Sequence, residues 1–252
     1  MSKLYLIGAG PGAADLLTLR AARILAEEAD VVLTDELVTP EVLALVRPSA
    51  RILKVGKRGG RASTPQAFIE RLMVRYARQG RCVVRLKGGD PFLFGRGGEE
   101  MLALQAAGHP VEVVSGLTAG IAVPATLGIP VTHRGLASGV TFVTARAGEA
   151  GLGEPDWAAL ARAGTTLVIY MGLARLPHIV AALQAAGMAG ETPAAVIAQG
   201  CQAQQRQVIA PLAELAEASA QAALPAPALI VIGDVVALAQ PSIAPAALRR
   251  AA

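Results

Sequence analysis

Short β-branched apolar runs alternate with longer alanine- and leucine-rich segments along almost the whole chain. This alternation is typical of β-α repeats on a largely parallel sheet and predicts an α/β fold. The candidate strands of the first half are residues 3–7, 29–34, 51–55, 82–86 and 111–114. The candidate helices of the first half are residues 15–28, 40–46, 65–79 and 98–107.

A second series of elements follows the turn-rich segment "GIPVTHRGLASG", residues 128–139, which is the candidate linker between two domains. Its candidate strands are residues 140–144, 165–170, 194–198, 207–209 and 228–233. Its candidate helices are residues 156–163, 173–186 and 211–220. We therefore expect an N-terminal α/β domain over residues 1–132, a C-terminal α/β domain over 133–240 and a loose tail over 241–252. Mostly parallel sheets and an active-site cleft between the two domains complete this expectation.

Composition agrees with packed α/β layers, since 53% of the 252 residues are apolar and only 3% are aromatic. Residues 113–132 carry no charge, but three glycines and two prolines interrupt them, which predicts buried turn-and-helix structure rather than a membrane span. The first residues, "MSKLYLIG", show no basic region followed by a cleavage site. A cytoplasmic enzyme is the expectation.

Charge and metal-ligand content narrow the classes of function. The net charge of +4 comes without a long basic run, which argues against nucleic acid and is compatible with a small acidic substrate. Cys82 and Cys201 are the only cysteines, and the three histidines are scattered. No ligand cluster for zinc or an iron–sulfur centre is visible, so we expect no metal.

The loop "GAGPGA" raises the possibility of a nicotinamide or flavin enzyme. Gly8, Gly10 and Ala13 fit the dinucleotide fingerprint, and Asp35 ends the next apolar run where a ribose-binding carboxylate is expected. Pro11 argues against it, because a residue without a backbone N–H removes a donor that a pyrophosphate would need. The loop alone leaves both interpretations open.

Residues 83–100, "VVRLKGGDPFLFGRGGEE", are the most informative stretch. A strand runs into a Gly-Gly-Asp-Pro turn at its carboxyl end, which is the edge of an open α/β sheet where ligands bind. An irregular connector with incidental charge is the alternative.

Three further stretches carry candidate chemistry at strand ends. The segment "VGKRGGRASTPQ" holds Lys57, Arg58 and Arg61, which are either ligand-binding or merely solvated. Asp35 in "TDELV" is either functional or a turn carboxylate. Thr118 and Ala119 in "GLTAG" allow close approach of a ligand to the backbone, or tight domain packing.

Together these stretches resemble the tetrapyrrole methylase family, S-adenosylmethionine-dependent enzymes with a two-domain α/β fold. The resemblance runs from residue 4 to about residue 236, and "RLKGGDPFLFGRGGEE" is its most specific part. The other stretches that carry it are "GAGPG", "DELV", "VGKRGG", "GLTAG", "GIPVTHR", "VTFVTA" and "YMGLA".

The resemblance implies a set of site residues. Contacts to S-adenosylmethionine would fall on Pro11, Gly88, Gly89, Asp90, Leu93, Thr118, Ala119, Met171 and Gly200. Catalytic roles would fall on Asp35 as proton acceptor, Lys57 as proton donor and Arg96, for which we favour bidentate binding of a substrate carboxylate. Binding of the tetrapyrrole would fall on Arg58, Arg61, Glu99 and Arg134.

The reaction that the resemblance implies is transfer of two methyl groups to ring carbons of uroporphyrinogen III, giving precorrin-2 for sirohaem, cobalamin or haem d1 synthesis. S-adenosylhomocysteine would be the second product, and the protein would act as a homodimer. Action on a later corrin intermediate is the alternative within the family. A Rossmann-type oxidoreductase and a non-catalytic binding module are the alternatives outside it.

Overall fold

A computed structural model describes residues 3–56, 64–145 and 153–240 of the chain. The chain folds into two compact units, residues 1–118 and 119–252. The turn-rich segment 128–139, expected to link the domains, falls inside the second unit. The tail expected over residues 241–252 lies outside the described residues.

The first unit is built on a five-stranded sheet in the order β3-β2-β4-β1-β5, with every neighbouring pair parallel. Its strands are β1 Leu4–Gly8, β2 Val31–Thr34, β3 Arg51–Lys54, β4 Val83–Lys87 and β5 Glu112–Val114. Its helices are α1 Leu19–Arg23, α2 Pro40–Leu43, α3 Gln66–Arg78 and α4 Gly97–Ala106. The three central strands are buried along their whole length, which explains their continuous apolar runs.

The second unit contains a five-stranded sheet in the order β6-β7-β10-β8-β9. Its strands are β6 Val140–Thr144, β7 Thr166–Tyr170, β8 Pro193–Ala198, β9 Arg206–Pro211 and β10 Ala228–Ile232. Its helices are α5 Ala119–Ala125, α6 Trp157–Arg162, α7 Leu176–Ala185 and α8 Leu212–Gln221. The α/β class is thus confirmed.

Strand direction in the second sheet departs from the mostly parallel arrangement expected. Only β6 and β7 run parallel, while β10 is antiparallel to both of its neighbours and β8 is antiparallel to β9. For the β8–β9 pair the reason is connectivity: seven residues join the two strands, which is too short for a parallel crossover and suits a hairpin.

One predicted helix is broken into shorter pieces, whereas the uncharged stretch 113–132 holds a short helix and turns, as expected. Residues 15–28 divide into a 3₁₀ turn at Ala14–Leu16, the helix α1 and a π-helical turn at Ile24–Glu28, because the Thr18 hydroxyl caps a new start by accepting from the Ala21 N–H. The uncharged stretch 113–132 contains α5, which has seven residues and includes Pro124. Within the described ranges, no helix is long and apolar enough to cross a membrane.

Candidate active site

The loops after β1 and β4 pair with each other at the carboxyl edge of the first sheet. The Ala9 N–H donates to the Lys87 carbonyl at 2.7 Å. Gly10 and Gly89 then exchange two backbone hydrogen bonds, of 3.2 Å and 2.7 Å. The "GAGPG" loop and the "KGGD" turn, 75 and more residues apart in sequence, therefore form one structural unit at the ligand-binding edge.

Glycine is required where these loops meet the end of β5. A Cβ on Gly8 would lie 2.5 Å from both the Gly116 nitrogen and the Gly89 oxygen. A Cβ on Gly116 would lie 2.3 Å from the same Gly89 oxygen. These distances are shorter than any side chain tolerates, so the segments after β1 and β5 approach each other and the Gly89 carbonyl this closely only because Gly8 and Gly116 have no Cβ.

The Asp90 side chain connects the turn after β4 to the segment after β5. Its Oδ1 accepts from the Phe92 N–H at 2.8 Å, and its Oδ2 accepts from the Gly116 N–H at 3.1 Å. The carboxylate thus closes its own turn and ties it to the segment that leads to Thr118. Pro11, Gly88, Gly89, Asp90 and Thr118, five of the residues expected to bind the methyl donor, follow neighbouring strands, and Leu93 lies half-buried in the turn after Asp90.

Asp35 follows β2 at the same edge. Its Oδ1 accepts from the Leu37 N–H at 3.1 Å, which is the turn role considered above, but its Oδ2 faces the Gly88 N–H at 3.4 Å. The Arg85 guanidinium lies 3.9 Å from that same oxygen. The structure therefore brings Asp35 to the Gly-Gly-Asp turn with its side chain 23% exposed.

Arg96 and Glu99 form a forked ion pair at the start of α4. The Arg96 Nε lies 3.1 Å from both Glu99 oxygens, and its Nη2 lies 2.7 Å from Oε2. Hydrogen bonding from Arg96 holds the pKa of the Glu99 carboxyl below its ordinary value. Arg96 has a φ of 58°, a left-handed conformation that is uncommon for a non-glycine residue.

In the second unit, Ala119 begins α5, and the segments that hold Met171 and Gly200 pack against that helix. Met171 follows β7 and Gly200 follows β8, and both strands end at the same edge because each is antiparallel to β10. The Gly120 N–H of α5 donates to the Tyr170 hydroxyl at 2.6 Å. A Cβ on Gly200 would lie 2.4 Å from the Val123 side chain of α5. Close packing of α5 therefore explains the glycine at position 200.

The remaining expected residues are less defined. Arg134 is exposed in the turn closed by the bridge between His133 and Ala137. Lys57, Arg58 and Arg61 lie outside the described residues. In residues 3–56, 64–145 and 153–240, no three or more His, Cys, Asp or Glu side chains cluster as a metal site.

Sequence reasoning missed three charged residues beneath the site. Arg85 and Lys87 of β4 and Glu100 of α4 are 4%, 5% and 0% exposed. Burial, followed by the nearby Arg85 charge, lowers the pKa of Lys87. Burial by itself raises the pKa of Glu100, but Arg85 and then Lys87 outweigh it, so that pKa lies below its ordinary value. The signal in the sequence is the pair of cations two residues apart in the otherwise apolar run "VVRLK".

The geometry argues against a dinucleotide site at the first loop. The Ala9 N–H donates to the carbonyl of Lys87 at the end of β4, and the Gly10 N–H donates to the Gly89 carbonyl in the loop after it. The 3₁₀ turn Ala14–Leu16 and Leu17 and Thr18 separate the loop from α1. A pyrophosphate site needs exposed loop N–H groups and an adjoining helix N-terminus.

Comparison with known proteins gives a consistent assignment. Residues 3–216 match the family described as Tetrapyrrole (Corrin/Porphyrin) Methylases. The chain is 53% identical over 234 residues to Uroporphyrinogen-III C-methyltransferase of Pseudomonas aeruginosa, which covers 92% of this chain and 94% of that one. It is 50% identical over 238 residues to Siroheme synthase 2 of Aeromonas hydrophila, which covers 94% of this chain but 50% of that protein. The chain thus spans about half the length of this second relative.

A solved structure extends the likeness to three dimensions. The crystal structure of uroporphyrin-III C-methyl transferase from Thermus thermophilus, complexed with S-adenyl homocysteine, is 43% identical. The two chains superpose with a TM-score of 0.80 over 94% of this chain and 100% of that one. Sequence and fold agree, and the chain belongs to the tetrapyrrole (corrin/porphyrin) methylases.

Proposed function

We propose that the chain is an S-adenosylmethionine-dependent C-methyltransferase that adds two methyl groups to uroporphyrinogen III and releases precorrin-2. The observation that carries the proposal is the carboxyl edge of the first sheet, where a glycine-lined turn and the Asp35 carboxylate lie together. The 53% identity to the Pseudomonas methyltransferase supports the choice of substrate.

The edge of the first sheet fits a flat, partly apolar cosubstrate. Leu37, Phe92 and Leu117 follow three of its strands and are 54%, 53% and 41% exposed, which is high for large apolar side chains. Gly89 has a φ of 68°, and no described atom lies within 4 Å of where its Cβ would be. The backbone of the turn is therefore accessible to a ligand.

The contacts to S-adenosylmethionine are proposed for each unit separately. In the first unit they are Pro11, Gly88, Gly89, Asp90, Leu93 and Thr118. In the second unit they are Ala119, Met171 and Gly200. When bound, the cosubstrate supplies an electrophilic sulfonium methyl, so the protein's part is to orient a ring carbon towards it and to exclude water.

Asp35 is the proposed proton acceptor. Methylation of an electron-rich ring carbon leaves a cationic macrocycle, which must lose a proton to regain a neutral ring system. A carboxylate at the substrate can take that proton, and Asp35 is a half-buried carboxylate at the binding edge. Lys57, proposed as donor, lies outside the described residues.

Cationic side chains would hold the acetate and propionate groups of the tetrapyrrole. Arg96 is proposed to bind a carboxylate through the Nη1–Nη2 edge of its guanidinium, because Glu99 already holds the Nε–Nη2 edge and orients the group. Arg134 is exposed and has the right charge for the same task. Arg58 and Arg61 are proposed for this role on the family resemblance.

The product and the assembly are also proposals. Likeness to Siroheme synthase 2 supports sirohaem synthesis as the route that uses precorrin-2, with cobalamin and haem d1 as the other routes. A homodimer is proposed from the family resemblance, and light scattering after gel filtration would measure it.

The test is an anaerobic incubation of the protein with methyl-labelled S-adenosylmethionine and enzymatically generated uroporphyrinogen III. We expect label in the tetrapyrrole and S-adenosylhomocysteine in equal amount. Calorimetric titrations with S-adenosylhomocysteine and with NADH run beside it, and only the first should show binding.

Each alternative predicts a different result. Label in a precorrin substrate but none in uroporphyrinogen III would favour the later corrin enzyme. NADH binding without S-adenosylhomocysteine binding would favour the oxidoreductase. Ligand binding without transfer to any tetrapyrrole would favour the non-catalytic module.

A further inference from the structure

A face of β4 that should be apolar carries two cations. Side chains alternate along a strand, so Arg85 and Lys87 point to the same side of the sheet as Val83. Val83 packs there in a core cluster with Leu6 of β1 and Leu33 of β2. Arg85 and Lys87 therefore extend an apolar face, and both are almost wholly buried.

Glu100 of α4 is the counter-charge to both cations. Its Oε1 accepts from the Arg85 Nε at 3.0 Å and from the Gln66 Nε2 at 2.8 Å. Its Oε2 lies 3.0 Å from the Lys87 Nζ and forms an ion pair with it. The angles of this contact are not those of a hydrogen bond, and Oε2 has no hydrogen-bond partner among the described residues. A fully buried carboxylate thus holds two buried cations.

The Arg85 guanidinium is fixed on its other side as well. Its Nη1 donates to the Leu33 carbonyl at 3.3 Å and to the Leu86 carbonyl at 3.1 Å. Its Nη2 lies 3.9 Å from the Asp35 Oδ2. Charges therefore alternate from Lys87 through Glu100 and Arg85 to Asp35, from the buried face to the binding edge.

Stability alone does not account for this arrangement. Removing three charges from water costs several kcal/mol for each ion, and apolar residues of similar volume usually serve a core as well or better. The same unit keeps other ion pairs at its surface, such as Arg20 with Glu112, where desolvation is small. The buried position of these three charges matters because it places the Arg85 guanidinium next to Asp35.

We propose that Glu100 is a positioning residue for the methyl transfer: it holds the Arg85 guanidinium, which in turn fixes the orientation of the Asp35 carboxylate at the binding edge. Arg85 then faces two negative charges, those of Glu100 and Asp35, and Lys87 supplies the second positive charge that balances them. The inference rests on the proposed function, in which Asp35 accepts the proton. It adds a second set of residues, out of reach of substrate, on which turnover depends.

A double-mutant cycle on methyl transfer tests the proposal. The variants are Glu100→Gln, Asp35→Asn and the double variant, with Glu112→Gln as the matched surface control. We expect Glu100→Gln to lower kcat by up to about 100-fold, as a misplaced reactive group does, with KM and S-adenosylhomocysteine affinity unchanged. In the Asp35→Asn background the same change should have no further effect, because the residue through which it acts has gone. Glu112→Gln should leave kcat unchanged in both backgrounds.

A triple variant keeps the proposal testable if Glu100→Gln fails to fold. Arg85→Met, Lys87→Met and Glu100→Leu together remove all three buried charges, and only the partly exposed Asp35 loses an ion partner. We therefore expect the thermal midpoint and S-adenosylhomocysteine binding to persist while kcat falls. Full activity of the triple variant would overturn the proposal, as would losses that multiply in the cycle. If the wild-type protein itself methylated no tetrapyrrole, the proposed function would fail first, a result distinguishable from both.

Discussion

Two glutamates at the centre of side-chain clusters show how differently the two units use charge. Glu100 in the first unit meets Gln66, Arg85 and Lys87 and is 0% exposed. Glu154 in the second unit accepts through one oxygen from Trp157 at 3.0 Å, from Arg175 at 2.6 Å and from His178 at 2.6 Å. Its side chain is 39% exposed. Each carboxylate has three polar partners, but only one is desolvated.

The difference in burial gives the two clusters different explanations. The exposed Glu154 cluster is explained by structure alone, whereas the buried Glu100 cluster is costly and calls for a functional explanation. Glu154 precedes α6 and joins it to α7, and Arg175 also donates to the Ala145 carbonyl at 2.8 Å. Such exposed contacts cost little to make and fasten a loop. The pKa of Glu154 is lowered by hydrogen bonds from Trp157 and then His178, whereas that of Glu100 is lowered by Arg85 and Lys87 against the effect of burial.

The largest expected contrast is in stability after truncation. Glu100→Ala leaves Arg85 and Lys87 buried without a counter-charge and should lower the free energy of unfolding by about 3–5 kcal/mol. Glu154→Ala should cause a much smaller loss, because water can solvate the partners that remain. Urea unfolding of both variants checks this, and equal losses would mean that burial does not set the cost.

A second contrast concerns how α4 brings Glu100 to β4. A Cβ on Gly97 would lie 2.3 Å from the Pro91 carbonyl oxygen, whereas a Cβ on Gly98 would meet no described atom within 4 Å. Gly97→Ala should therefore shift the start of α4 and cost about 1–3 kcal/mol.

Gly98→Ala is the matched control for that substitution. It should be neutral or stabilise the protein by up to about 1 kcal/mol, since alanine is the better helix former. Thermal unfolding separates the two variants. A tolerated Gly97→Ala with an unchanged midpoint would show that the close contact to Pro91 does not hold the helix.

Acid should weaken both clusters, but the buried one more. A carboxyl whose pKa is lower in the folded chain adds stability that is present above its unfolded pKa of about 4.3 and is lost as pH falls through the folded pKa. The difference in unfolding free energy between wild type and Glu100→Gln should thus be largest near neutral pH and shrink in acid. Unfolding curves at a series of pH values measure it, with Glu154→Gln showing the same trend at smaller size.

Salt should give the smallest contrast. At 1 M salt the Debye length is about 3 Å, so the exposed Glu154 cluster is screened while the buried Glu100 is not. The loss caused by Glu154→Gln should diminish in 1 M sodium chloride, and that caused by Glu100→Gln should stay constant. Salt dependence of the Glu100 variant would indicate that water reaches Arg85 and Lys87.

Local pattern predicted much of the fold because strands and loops leave local signals. The runs around Val83 and Val140 are strands within one residue of their expected bounds. The antiparallel course of β10 was not predictable, since pairing direction depends on partners distant in sequence. The same limit hid the buried ion pairs: "VVRLK" shows two cations in an apolar run, but only the packing of α4 shows that Glu100 meets them.

Mass spectrometry of the tetrapyrrole produced from uroporphyrinogen III and S-adenosylmethionine tests the central claim most directly. The account predicts that the wild-type protein adds one methyl group and then a second, and that product with two added methyl groups accumulates. Unmodified uroporphyrinogen III after incubation with a protein that binds S-adenosylhomocysteine would contradict it.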